Sequence, residues 1–117
     1  MGLWFVASIG VRASAPLAEI AGEIARALRL PFVLDSSGRY EEYPAYCTRV
    51  LGIELALLGT PLPADDLGKG LDPNFYLVAT TLRYPERPLQ EVDLSEHILS
   101  ILKDETALEC WKSPMRF

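Results

Sequence analysis

Between Leu3 and Arg12 the side chains alternate at every step. Leu3, Phe5, Ala7, Ile9 and Val11 fall on one side, and Trp4, Val6, Ser8, Gly10 and Arg12 on the other. Successive residues of an extended chain point to opposite faces, so this period of two predicts a strand with one face in a core. A helix start follows at once. Ser14 or Ala15 is placed to cap it, and Pro16 sits in the first turn, where a missing N–H costs nothing. Leu17, Ile20, Ile24 and Leu28 then make a helical stripe, with Glu19, Glu23, Arg26 and Arg29 turned away from it, and Pro31 ends the helix.

The rest of the chain continues in short units. Phe32-Val33-Leu34 reads as a strand and Asp35-Ser36-Ser37-Gly38 as a turn. From Tyr46 to Leu58 the residues Cys47, Leu51, Ile53, Leu55 and Leu57 are expected on one face of an extended segment. Gly59 to Asn74 holds three prolines, three glycines and three aspartates, which predicts a long loop of the kind that often carries function. Phe75–Tyr84 reads as a strand. Asp93-Leu94-Ser95-Glu96 has capping-box spacing, and Leu94, Ile98, Ile101 and Leu102 form a second helical stripe. A last short strand at Leu108–Lys112 is optional to the pattern. The expected order is β-α-β-β-β-α: a single α+β domain over residues 1–117. It would be a two-layer sandwich with a mostly antiparallel sheet of four or five strands and two helices on one face.

Charge and cysteine content narrow the function. The net charge is −5, and residues 40–75 hold Arg49 and Lys69 against six carboxylates. Nucleic acid is therefore not expected as a partner, since phosphate binding calls for a basic patch, whereas a basic protein is. The longest nearly apolar segment, Val50 to Leu58, is half the length of a membrane span, and Met1-Gly2-Leu3-Trp4-Phe5 reads as strand rather than signal peptide. Cys47 and Cys110 stand far apart and outside any CxxC, so neither a zinc site nor a disulfide is indicated, and a reducing cytoplasm is the expected location.

Chemistry-bearing patterns are sparse. His97 is the single histidine, and neither cysteine lies in a nucleophile motif. Glu41 and Glu42 are adjacent, so on an extended segment they point apart, which is poor geometry for two carboxylates sharing a substrate. Asp65, Asp66 and Asp72 lack the spacing of a calcium loop, and Gly68-Lys69-Gly70 lacks the rest of a phosphate loop. No cofactor, metal or catalytic residue is expected. What stands out is RYEEYPAYC, residues 39–47. Tyr40, Tyr43 and Tyr46 offer rigid contact area, and Glu41 and Glu42 offer acceptors for Arg or Lys. Spaced by three, the tyrosines do not share one face of a regular strand, and Pro44 argues against a central strand there.

The run DSSGRYEEYPAYCTRVLGIELALLGTP, followed by an Asp-rich loop and NFYLVATTLRY, is similar in style to bacterial immunity proteins, especially those paired with contact-dependent growth inhibition toxins. That resemblance implies a non-enzymatic protein that neutralises a cognate toxin domain, frequently a basic nuclease, by covering its active site or a nearby surface. The expected contact residues are Tyr40, Glu41, Glu42, Tyr43, Tyr46, Asp65, Asp66 and Asp72. Two alternatives stand beside it. One is a small ligand-binding or enzymatic domain with a pocket near Tyr46, Cys47 and His97. The other is a homo-oligomeric subunit that buries its tyrosines against itself.

Overall fold

The computed structural model describes residues 2–40, 43–60, 74–83 and 89–114. In chain order the elements are β1 (Gly2–Val11), α1 (Leu17–Leu28), β2 (Val33–Leu34), β3 (Ala45–Val50), β4 (Ile53–Leu58), β5 (Phe75–Thr81), β6 (Leu89–Asp93), α2 (Ser95–Glu105) and β7 (Cys110–Lys112). The strands form one open sheet in the order β2-β3-β4-β5-β1-β6, with β7 also on β1. All pairings are antiparallel except that of β1 with β6. The chain is α+β with a mostly antiparallel sheet, as expected, but the described residues contain seven strands rather than four or five.

The alternation in β1 determines which side of the sheet becomes the core. Ala7, Ile9 and Val11 of β1 join Ile53, Leu55 and Leu57 of β4 and Phe75, Leu77 and Ala79 of β5. Against this face pack Ile20, Ala21, Ile24 and Ala27 of α1 and Ile98 and Leu102 of α2. Both helices therefore cover the same side. Helix α1 ends on Arg29, whose left-handed backbone (φ 57°) turns the chain before Pro31 is reached.

The segment from Tyr46 to Leu58 is a hairpin and not one extended run. Leu51 and Gly52 carry φ of 52° and 75°, and Val50 pairs with Ile53 across this two-residue turn. Positive φ at both central residues is the hairpin geometry that matches strand twist. The reversal changes the facing: Ile53, Leu55 and Leu57 lie under the helices, Cys47 lies on the opposite side, and Leu51 is 92% exposed.

Strand β6 has no counterpart in the sequence expectation. It runs parallel to the first half of β1, from Gly2↔Leu89 to Val6↔Asp93, while β7 pairs with the second half, from Ile9 to Val11. Ser8 lies in the interval. Its N–H donates to Ser95 Oγ at 2.9 Å and its carbonyl accepts from Ser113 N at 2.9 Å, so the edge is closed by the start of α2 and the residue after β7. The expected long loop and Tyr84 lie largely or wholly outside the described residues.

Candidate functional site

Among the described residues the second face of the sheet carries no helix. The register assigns to it Arg49 and Cys47 of β3, Glu54, Ala56 and Leu58 of β4, and Tyr76, Val78 and Thr80 of β5. It adds Trp4, Val6, Ser8 and Gly10 of β1, with Glu91 and Asp93 of β6 and Trp111 of β7 beside them. Gly10 has a specific reason to be glycine. The Trp111 indole lies directly over it, and a Cβ would fall 2.2 Å from the ring.

Over β3, β4 and β5 this face is roofed by the opening of RYEEYPAYC. Tyr40, Tyr43 and Cys47 pack on a small second cluster of Ala45, Ala56, Leu58 and Val78. The approach is fixed by Asp35, whose carboxylate accepts the Ser37 N–H at 3.1 Å and the Ser37 hydroxyl at 2.7 Å, and by Gly38 at φ 74°. That delivers Arg39 and Tyr40 to Glu54. Glu54 is only 4% exposed, and a buried carboxylate persists only when paired and hydrogen-bonded. The Tyr40 hydroxyl donates to it. Arg39 Nη1 lies 3.0 Å from both carboxylate oxygens, and Arg49 Nε, directly across the strand pair, donates at 2.9 Å. The Arg39 guanidinium also sits 5.8 Å from the Tyr40 ring centroid, within cation–π range.

This arrangement holds a segment in place; it does not generate a reactive group. Burial first, then the hydrogen bond to Glu54 and its charge, push the Tyr40 phenol well above its ordinary range, so it stays a donor. Burial, reinforced by Glu54, pushes the Cys47 thiol up to about 11, and burial does the same to Cys110. Thiols held protonated at neutral pH are poor nucleophiles.

The second feature of this face is a concavity of about 430 Å³ between β1, β5 and the β6–α2 junction, lined among others by Trp4, Val6, Ser8, Thr80, Asp93 and Lys112. Asp93 accepts the Ser95 N–H at 2.9 Å, and hydrogen bonds from Ser95 hold its carboxyl below the usual range. Leu94 occupies the helix cap position, so Asp93 serves the helix start from one residue earlier than the capping-box spacing implies.

Of the expected contact residues, Tyr40 and Tyr43 are brought together on the helix-free face, while Tyr46 turns the other way, against the main core. Glu41, Glu42, Asp65, Asp66 and Asp72 lie outside the described residues. Tyr46, Cys47 and His97 do not assemble into a pocket. Tyr46 and Cys47 face opposite sides of β3, which β4 and β5 separate from β1, and His97 is exposed on α2, which packs on β1 and β7. Sequence reasoning missed Glu54, Trp4, Asp93 and Lys112 as site residues. Only Glu54 left a signal, as a lone carboxylate in an apolar run. Among the described residues no cluster of His, Cys, Asp and Glu is arranged to hold a metal ion, and no helix is long and apolar enough to cross a membrane.

No protein-family model matches the chain, and no curated protein is significantly similar to it.

Proposed function

We propose that this protein works by stoichiometric binding, as an immunity protein that neutralises a basic toxin domain, and that the helix-free face of the sheet is its contact surface. The observation that carries the reading is the division of the sheet. One face is sealed by α1 and α2, while the other carries the half-buried Trp4 and Trp111, with a concavity beside Trp4; Tyr76, on the same face, is buried. Large aromatic side chains around a shaped depression are what protein interfaces concentrate at their centres. A net charge of −5 fits a basic partner. The Glu54 node supports the same reading: it fixes Tyr40, whose carbonyl in turn accepts the Tyr43 N–H at 3.0 Å, before any partner arrives, which lowers the ordering cost of association.

The test needs a basic toxin domain, to be sought in the genes next to this one. Co-expression is expected to restore growth of cells that make the toxin domain, and titration to give a one-to-one complex. Thr80→Arg on the helix-free face is expected to abolish protection with the fold intact, and Arg26→Glu on α1 to preserve it. Protection lost with Arg26→Glu and kept with Thr80→Arg moves the interface to the helical side and overturns the assignment.

A further inference from the structure

The concavity at the β6–α2 junction contains an unfilled hydrogen-bonding demand. Ser8 Oγ is shielded from solvent and has no hydrogen-bond partner, although both backbone groups of Ser8 are satisfied. Its position in β1 directs it to the helix-free face, just beneath the floor of the depression that Ser8 lines, which the hydroxyl enters by a change of its χ1 rotamer. Buried hydroxyls are normally paired, so one facing a cavity marks a place for an incoming polar group.

The surrounding chemistry favours a cation. Asp93 gives one carboxylate oxygen to Ser95, and the other faces Lys112 Nζ at 3.7 Å, too long for a hydrogen bond. Lys112 is shared with Glu96 at 3.8 Å, and all three side chains are substantially exposed. Two carboxylates against one ammonium leave an excess of negative charge. Thr80 adds a second hydroxyl and Trp4 a wall. A planar guanidinium matches this set better than an ammonium, because it engages a carboxylate through two N–H groups and stacks on an indole.

We propose that this depression is the seat for an arginine side chain of the protein partner: Asp93 receives the guanidinium, Ser8 Oγ accepts from it, Trp4 stacks on it, and Lys112 is the resident cation it displaces towards Glu96. This deepens the proposed contact of the helix-free face with a basic protein and rests on that reading. The charge at Asp93 is available over the neutral range, since its hydrogen bonds from Ser95 favour the ionised form.

The experiment needs only the isolated protein. Backbone amide NMR is recorded while N-acetyl-arginine amide is added, with the lysine and citrulline analogues and inorganic phosphate as separate arms. Saturable shifts centred on Ser8, Asp93 and Ser95 are expected with the arginine compound, weaker ones with lysine, and none with citrulline or phosphate. Lys112→Met removes a competitor and is expected to tighten arginine binding by about fivefold, the scale of an exposed ion pair. Asp93→Asn keeps an acceptor for the Ser95 N–H and is expected to weaken it more than tenfold. Weaker or unchanged binding in Lys112→Met, equal binding of citrulline, preference for phosphate, or no saturation at about 50 mM each overturns the proposal. Because the probe is a small amide, these results are independent of whether the toxin domain binds, so failure of the seat and failure of the interface are separately visible.

Discussion

Glu54 shows how a single residue organises this protein. A carboxylate in the middle of an apolar strand is a liability unless the fold supplies donors, and here three arrive from two directions. Arg49 comes by register, as the cross-strand neighbour, and Arg39 and Tyr40 come by way of the Asp35–Gly38 turn. The two arginines are partly solvent-exposed (42% and 65% of the side chain) and contribute little as isolated ion pairs. The Tyr40 hydroxyl bond to a buried charge is the stronger member, at about 1.5–3 kcal/mol. Tyr40→Phe is therefore expected to cost about that much in urea denaturation, and Arg49→Ala about 1 kcal/mol or less. In a Glu54→Gln background Tyr40→Phe should cost clearly less, since the charge it serves is gone. Additive losses in that cycle would mean the pair is not coupled.

At the scale of elements, the parts of the fold that announced themselves are those whose periodicity is self-contained. The β1 alternation and the α1 stripe depend only on neighbours along the chain, and Ile20 and Ile24 are buried where the spacing puts them. The β3–β4 hairpin was not legible because Val50–Leu58 is nearly all apolar, and a lone glycine at 52 is a weak turn signal beside Leu51. Strand β6 was hidden for the opposite reason. Leu89-Gln90-Glu91-Val92-Asp93 has too few apolar residues to read as a strand, and it is one because the edge of β1 offers it partners. The same limit applies to the site: residue types could mark RYEEYPAYC, but sending Tyr46 to one face and Tyr40 to the other needed the register. The hairpin yields a prediction of its own. Leu51 holds φ 52° while exposing nearly all its surface, so it carries backbone strain with no packing in return. Leu51→Asn creates the Asn-Gly pair that such turns prefer and is expected to raise stability by about 0.5–1 kcal/mol, read as a higher denaturation midpoint. Gly52→Ala should lower it by about 1 kcal/mol. A neutral or destabilising Leu51→Asn would show that the turn is not under strain.

For the molecule as a whole, the two sides of the sheet give a way to separate charge from place. A net charge of −5 attracts a basic partner from any direction, and only the local field near the proposed docking face would orient it. Glu91 stands on the helix-free face, opposite Trp4 in the β1–β6 register, while Glu19 is exposed on α1 across the core. Reversing either to Lys changes the net charge by the same amount. At physiological ionic strength fields decay over about 8 Å, so a charge on the far layer is screened from the encounter and one on the face is not. Glu91→Lys is therefore expected to slow association with the proposed basic partner by about threefold or more, and to flatten the dependence of that rate on salt. Glu19→Lys should leave the rate nearly unchanged at the same salt. Dissociation should respond less than association in both, because exposed rim charges act chiefly on encounter. Stopped-flow association rates at low and physiological ionic strength for the two variants decide the matter. Equal slowing would mean that bulk charge, with no oriented face, governs capture, and faster loss with Glu19→Lys would place the partner on the helices.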